Sequence, residues 1–269
     1  MEIKNTKSID GKAGLRVFLY GLNRSGKTTH ASTWPRPIYL VPSSAKNEMI
    51  SVPDDITVIF FKGVEDFRDT CKFVGDAIAK NKPIGEYVPK TVIIDNITSM
   101  QMSWEEEIKF RRKINKLEWS DWDTLKSALA YAMMTLNDLP VHLIWIAHSY
   151  IKTYKMDGKE FQKGEWTIKG AASQFIPNHS DLLLYLEQVD KGNRGSMWRI
   201  HGRKKDIWTA GVRMPVAHQK APFAVLESND KEFGMHPSYD DMAVRLSLPT
   251  VEQDWEQYVT NLETKGKRK

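Results

Sequence analysis

Short apolar runs alternate along this chain with segments whose apolar residues recur every three or four positions. Leu15-Arg16-Val17-Phe18-Leu19-Tyr20 is apolar and partly β-branched, which predicts a buried strand. Pro37 to Val41, Ile56 to Phe61, Thr91 to Ile94 and His142 to Ala147 read the same way. Between them, Glu65 to Lys80 puts Phe67, Cys71, Val74 and Ile78 on one helical face. Thr28 to Trp34 can start a helix that Pro35 ends. Asn81 to Lys90, with two prolines and a glycine, reads as a loop. Ser99 to Leu117 predicts a long helix. A second begins at Ser120 with a Ser-Asp-Trp-Asp start that resembles a capping box. Trp122, Leu125, Leu129, Met133 and Leu136 form its buried stripe. The order predicts an α/β fold with a mostly parallel central sheet flanked by helices.

Beyond His148 the pattern changes. Tyr150 to Lys169 carries five lysines (Lys152, Lys155, Lys159, Lys163 and Lys169) with Tyr150, Tyr154, Phe161 and Trp166 among them. Met156-Asp157-Gly158-Lys159 reads as a hairpin turn. Leu182 to Leu186 and Met197 to His201 read as strands linked by the turn Asp190-Lys191-Gly192-Asn193, so the last strands are expected to be antiparallel. Thr250-Val251-Glu252-Gln253 is a capping box. Val251, Trp255, Val259 and Leu262 share one helical face, and Lys265 to Lys269 form a basic tail expected to be disordered. The expected division is a core over residues 1–246 and a C-terminal amphipathic helix with its tail over 247–269.

Composition narrows the class. The chain has 269 residues, 41% hydrophobic and 27% charged, enough for one sizeable core. It has no apolar run of about 18 residues, so no membrane span is expected. Met1 to Gly14 is polar and lacks an apolar signal core. Cys71 is the single cysteine, which excludes an internal disulfide and a multi-cysteine zinc site and suits a reducing cytoplasm. A net charge of +5 permits a polyanionic partner without requiring one.

The candidate chemistry begins where the first strand ends. Gly21-Leu22-Asn23-Arg24-Ser25-Gly26-Lys27-Thr28 reads G-x-x-x-x-G-K-T, a phosphate-binding P-loop between a strand and a helix. Its glycines let backbone N–H groups close around a phosphate. Gly21, Asn23, Arg24, Ser25, Gly26, Lys27, Thr28 and Thr29 are the candidate nucleotide contacts. Lys27 would reach the β- and γ-phosphates, and the Thr28 hydroxyl would ligate Mg²⁺. A P-loop also needs a carboxylate at the end of a nearby strand, and Thr91-Val92-Ile93-Ile94-Asp95 supplies it. Asp95 with Thr28 predicts a Mg-nucleotide site. His148, at the end of a third strand, is a candidate sensor of the γ-phosphate or else a hydrogen-bonded strand-end histidine.

GLNRSGKTT, TVIIDNITSM, WIAHS, AASQFIPNHSDLLLYL and a strand leading to Thr209-Ala210-Gly211-Val212-Arg213, in this order, resemble RecA-like ATPases. Among these, the chain is similar to the short phage RecA-core proteins linked to single-strand annealing and recombination. The resemblance implies a RecA-like core, ATP with Mg²⁺, and a single-stranded DNA partner. It also implies a homo-oligomeric ring or filament, a single-stranded-DNA-binding protein as a further partner, and the cytoplasm of a host cell. It places a DNA-binding loop after His148, where Tyr150, Lys152, Tyr154, Lys155, Lys159, Lys163, Trp166 and Lys169 lie. Lysines suit phosphates and aromatic rings suit bases there; a solvated hairpin with aromatics packed on the core is the alternative.

Two departures from the family pattern bear on catalysis. The second strand runs into Pro42-Ser43-Ser44, where the family carries a water-activating glutamate; the nearest acid, Glu48, lies several residues further on and is the candidate for a displaced catalytic base. The family's Ala-Lys-x-Arg signature, which reaches a neighbour's phosphate, keeps Arg213 but has Gly211 in place of lysine. Arg203, Lys204 and Lys205 are candidate substitutes. Slow hydrolysis is the expectation. A non-catalytic ATP-binding accessory module of a phage replication complex and a small-molecule P-loop kinase stay open as alternatives.

Overall fold

The computed structural model describes residues 14–156, 159–170, 172–190, 196–212, 225–227, 237–246, 248 and 250–257. The leading strand β1 (Arg16–Gly21) sits in the middle of the sheet. It is followed by α1 (Lys27–Ser32), β2 (Pro37–Pro42), a 3-10 segment (Ser43–Ser51), β3 (Thr57–Phe61) and α2 (Gly63–Ala79). Next come β4 (Thr91–Ile94), α3 (Ile97–Arg112), α4 (Trp119–Asn137), β5 (His142–Met156) and β6 (Lys159–Trp166). The chain continues with α5 (Ala172–Asn178), β7 (Leu182–Asp190), β8 (Ser196–His201), β9 (Gly211–Val212), β10 (Val225–Glu227) and α6 (Tyr239–Leu246). The spatial order is β10-β8-β7-β1-β5-β4-β2-β3, with β6 on β5 and β9 on β7. β7 through β3 pair in parallel, and β6, β8, β9 and β10 pair antiparallel, as the strand spacing predicted.

The strand period of two builds two cores. Phe18 and Tyr20, Ile38 and Leu40, Val92 and Ile94, and Leu143 and Trp145 point to one face, under α2, α3 and α4. Val17 and Leu19, Tyr39 and Val41, Ile93, and Ile144 and Ile146 point to the other, under α1 and α6. A sheet apolar on both faces must be covered on both, which is why its parallel strands read as continuous apolar runs.

Several boundaries differ from the sequence expectation. β5 does not end at His148. It runs on to Met156 and pairs with β6 from Ser149↔Trp166 to Met156↔Lys159. The segment is a two-stranded arm, in keeping with the hairpin turn read at Met156 to Lys159, and Tyr150, Ile151, Thr153 and Tyr154 are strand formers. The turn residues Asp157 and Gly158 lie outside the described residues, as do Lys191 to Asn193. α3 starts at Ile97 because the Asn96 side chain accepts a hydrogen bond from Ser99 N–H, and it ends at Arg112 because Lys113 turns left-handed (φ 53°). The second long helix starts at Trp119, with Glu118 and Asp121 forming the capping box expected at Ser120.

The Thr250 and Gln253 reciprocal bonds form as predicted, at 3.0 and 3.4 Å. The helical residues 251–257 dock through Asp254, which pairs with Arg36 at 3.0 Å, while Trp255 is half exposed. The described part of 247–269 thus packs on the core. Val259, Leu262 and the basic tail lie outside the described residues, as do residues 1–13.

Arg16 anchors the base of β1. Its buried guanidinium donates to the carbonyls of Gly14, Val141, Asn137 and Leu139, which ties the end of α4 to the strand that carries the P-loop. Arg16→Leu should cost about 3 kcal/mol, because those carbonyls lose a charged donor. Denaturant unfolding checks it; a loss within about 0.5 kcal/mol, the range of an ordinary surface change, would show the anchor to be dispensable.

Candidate nucleotide-binding site

The sheet order brings the chemistry together. β1 and β4 are not neighbours, since β5 lies between them. Gly21 pairs in register with His148, and Ile94 with Trp145. The P-loop, His148 and Asp95 therefore emerge side by side at the carboxyl edge of the sheet. They line a cavity of about 650 Å³, with Asn23, Arg24, Gly26, Lys27, Thr28, Thr29 and Glu48 in its wall. Asn47, Ile50, Ser51 and Trp198 complete the lining.

The loop has the backbone shape that its residues predict. Gly26 (φ 84°) and Arg24 (φ 62°) are left-handed, the first a conformation that favours glycine. Gly21 is needed for a different reason from the one expected. A Cβ there would lie 2.2 Å from the Leu186 carbonyl oxygen of β7, so the neighbouring strand, rather than a ligand, excludes a side chain. α1 is only six residues long, so its dipole adds little and the loop amides carry the anion.

Lys27 is nearly buried and donates to the carbonyls of Gly21 (3.1 Å) and Leu22 (2.8 Å) and to Ser25 Oγ (3.4 Å). Burial lowers its pKa to about 8, against the pull of Asp95 and Glu48. Asp95 has no appreciable exposure and accepts a 2.6 Å hydrogen bond from Thr28 Oγ1. Burial pushes its carboxyl up to about 6, outweighing the Thr28 bond that favours ionisation. A carboxylate at that depth calls for a cation. Thr28 and Asp95 offer hard oxygens of the kind Mg²⁺ takes. Among the described residues no cluster of three or more histidines, cysteines or acids could hold a metal. Two protein oxygens with phosphate and water completing the shell fit that finding.

Glu48, the candidate base, reaches the site from outside the strand ends. The 3-10 segment after β2 folds it back into the cavity, where it accepts from Asn96 Nδ2 at 2.6 Å and from Ser99 Oγ at 3.2 Å. His148 Nε2 lies 3.7 Å from it and 3.1 Å from Asn96 Nδ2. The neighbouring His148 and the hydrogen bonds from Ser99 and Asn96 hold the Glu48 carboxyl below its ordinary value. Thr98 Oγ1 accepts from the His148 N–H at 3.0 Å. His148 Nδ1 is buried with no partner among the described residues. Asn96, Thr98 and Ser99 were not anticipated as site residues. Their signal was present: Asn96 is an Asx N-cap three residues before Ser99. Trp198 had none, because only the β7–β8 pairing brings it to the cavity.

Other expected residues lie elsewhere. Trp166 is not available for stacking. It packs edge-on against Phe18 and Tyr20 and donates Nε1–H to the Ser173 carbonyl. On the arm, Glu165 accepts from Tyr150 and Tyr154 and sits 3.9 Å from Lys152 and 3.5 Å from Lys163. Lys155 pairs with Glu160 at 3.0 Å and Lys169 with Glu105 at 2.9 Å. The Lys159 and Phe161 side chains lie outside the described residues, as does Arg213. Arg203 and Lys204 are exposed, and Lys205 pairs with Asp206 at 2.6 Å.

Residues 13–211 match the AAA domain family, a group of P-loop ATPases. The chain belongs to that family. No curated protein matches it. AAA membership carries nucleotide binding at the P-loop. No helix among the described residues is long and apolar enough to cross a membrane.

Lys27→Ala removes a charge-assisted contact and should weaken ATP binding at least about tenfold with the fold intact, as calorimetry would record. Equal affinity of variant and parent would sink the P-loop assignment. Mg-ATP affinity should also fall with acid. Asp95 could take a metal only when ionised, so protonation below about pH 6 would compete with it. Affinity should drop roughly tenfold from pH 7 to pH 5, beyond the nucleotide's own titration. Asp95→Asn should erase that component.

Proposed function

We propose that this AAA-type protein binds Mg-ATP, hydrolyses it slowly and acts on single-stranded DNA in phage recombination or annealing, as a ring or filament of like subunits. The observation that carries the ATPase part is the joining of Lys27, Thr28, Asp95, Glu48 and His148 in one cavity. The loop amides and Lys27 hold the phosphates of the substrate. Thr28 and Asp95 would hold Mg²⁺, which when bound would neutralise charge on the phosphate oxygens.

Glu48 takes a proton from water as the water oxygen bonds to the γ-phosphorus and the bond to the ADP oxygen breaks. Asn96 and Ser99 fix the carboxylate, and His148 beside it links the phosphate end of the cavity to the β5–β6 arm. The same bonds that fix Glu48 also lower its basicity, which supports slow turnover. That feature likewise favours a second reading, an ATP-binding accessory module with no useful hydrolysis. The DNA part rests on the resemblance to phage RecA-core proteins and on the lysines and tyrosines of the arm.

ATP turnover with and without single-stranded DNA separates these readings. The proposal expects a slow basal rate, stimulation by DNA, and loss of turnover but not of ATP binding in Glu48→Gln. A rate that survives Glu48→Gln would assign the base elsewhere. Binding of ATP with no turnover under either condition would support the accessory module.

A further inference from the structure

A cavity of about 830 Å³ opens between the α3–α4 connection and the segment that follows β6, and it shares no lining residue with the P-loop cavity. Lys116, Trp119, Trp122, Lys126, Lys169 and Gly170 supply its walls. Trp119 is 88% exposed. An indole at the first position of a helix, so far from any core, contributes no packing. Trp122, one turn on, lies on the same side of α4 and backs onto the sheet core. The two indoles thus give a stacking wall whose inner member is anchored on the core and whose outer member is exposed.

The cations are arranged around that wall on separate elements. Lys116 stands on the connection, Lys126 one turn beyond Trp122, and Lys169 three residues past the end of β6. Lys169 is held in place: its N–H donates to Gln101 Oε1 (2.8 Å) and its carbonyl accepts from Gln101 Nε2 (3.1 Å). Acids are present too. Glu118 is paired with Arg112 at 2.9 Å and Lys169 with Glu105 at 2.9 Å, while Asp123 also lines the cavity. Flat π surfaces ringed by cations recognise a ring that carries a phosphate. The cavity is larger than the one at the P-loop, and its lysines are spread over three elements, which suits successive phosphates of a strand.

We propose that this cleft is a binding site for single-stranded DNA, with bases stacked on Trp119 and Trp122 and phosphates on Lys116, Lys126 and Lys169. The proposal rests on the single-stranded DNA reading above and moves the stacking surface from the arm, where Trp166 is packed inside, to α4. α3 joins the cleft to the nucleotide, since Asn96 and Thr98 touch Glu48 and His148 while Gln101 holds Lys169.

The test is fluorescence anisotropy of a labelled oligo-dT with the full chain across a salt series, with thymidine monophosphate as a competitor. Trp119→Ala should weaken oligonucleotide binding about fivefold or more with little change in salt slope. The pair Lys116→Ala and Lys126→Ala should flatten the slope by roughly 0.7 per lost contact. ATP affinity should stay unchanged in both variants, which also reports that they fold. If the parent binds the oligonucleotide and the variants bind it equally well, the cleft is not the site, though the DNA reading stands. If the parent binds none, the DNA reading itself fails and the cleft proposal with it. Thymidine monophosphate binding as tightly as the strand would identify a free-nucleotide site and overturn the strand as occupant.

Discussion

A carboxylate with almost no contact with water, Asp95, stands beside a lysine that is nearly as buried. Neither group is comfortable alone. Burial drives the Asp95 carboxyl up and the Lys27 ammonium down, and their mutual attraction offsets only part of each shift. A ligand with its own cation and its own phosphates relieves both, since metal meets the acid and phosphate meets the lysine. The protein holds this unfavourable arrangement because the sheet over-determines it. β5 between β1 and β4 fixes the spacing, Leu186 of β7 presses on Gly21, and Arg16 ties the base of β1 to the end of α4.

The same edge carries the rest of the machinery. α3 begins two residues after Asp95, so its first turn is tied by a short stretch of chain to that carboxylate. That turn supplies Asn96, Thr98 and Ser99, which hold Glu48 and the backbone of His148. His148 is also the point at which β5 leaves the sheet for the arm, and Gln101 further along α3 fixes the end of the arm. One helix therefore touches the nucleotide cavity at its start and the tryptophan cleft along its length. That continuity is the physical route by which phosphate chemistry and strand binding are coupled in the proposed function.

Much of this was legible in the chain because local chemistry dictated it. The P-loop, Asp95 and the strand runs follow from glycine freedom, charge and apolar periodicity, and the Thr250–Gln253 box formed as written. What escaped depended on distant partners. Glu48 was legible as a candidate base but not its route to the site, since it is the 3-10 segment after Pro42 that turns it into the cavity. The aromatic-lysine run after His148 read as a binding loop, yet pairing made it a strand arm and buried Trp166 against Phe18 and Tyr20. Composition cannot tell a stacking tryptophan from a core one. Trp122 read as part of a core stripe and the helix as starting at Ser120, and only the fold shows that Trp119, its first residue, stands in solvent.

The central claim is that Asp95 and Thr28 hold the metal that joins nucleotide to protein. Calorimetric ATP affinity, measured with Mg²⁺ and with the metal chelated, in the parent and in Asp95→Asn, tests it most directly. The account predicts that Mg²⁺ tightens binding in the parent and not in Asp95→Asn. It also predicts that the variant melts no lower than the parent without nucleotide, since a neutral amide replaces a buried acid. Equal dependence on Mg²⁺ in the two proteins would contradict it.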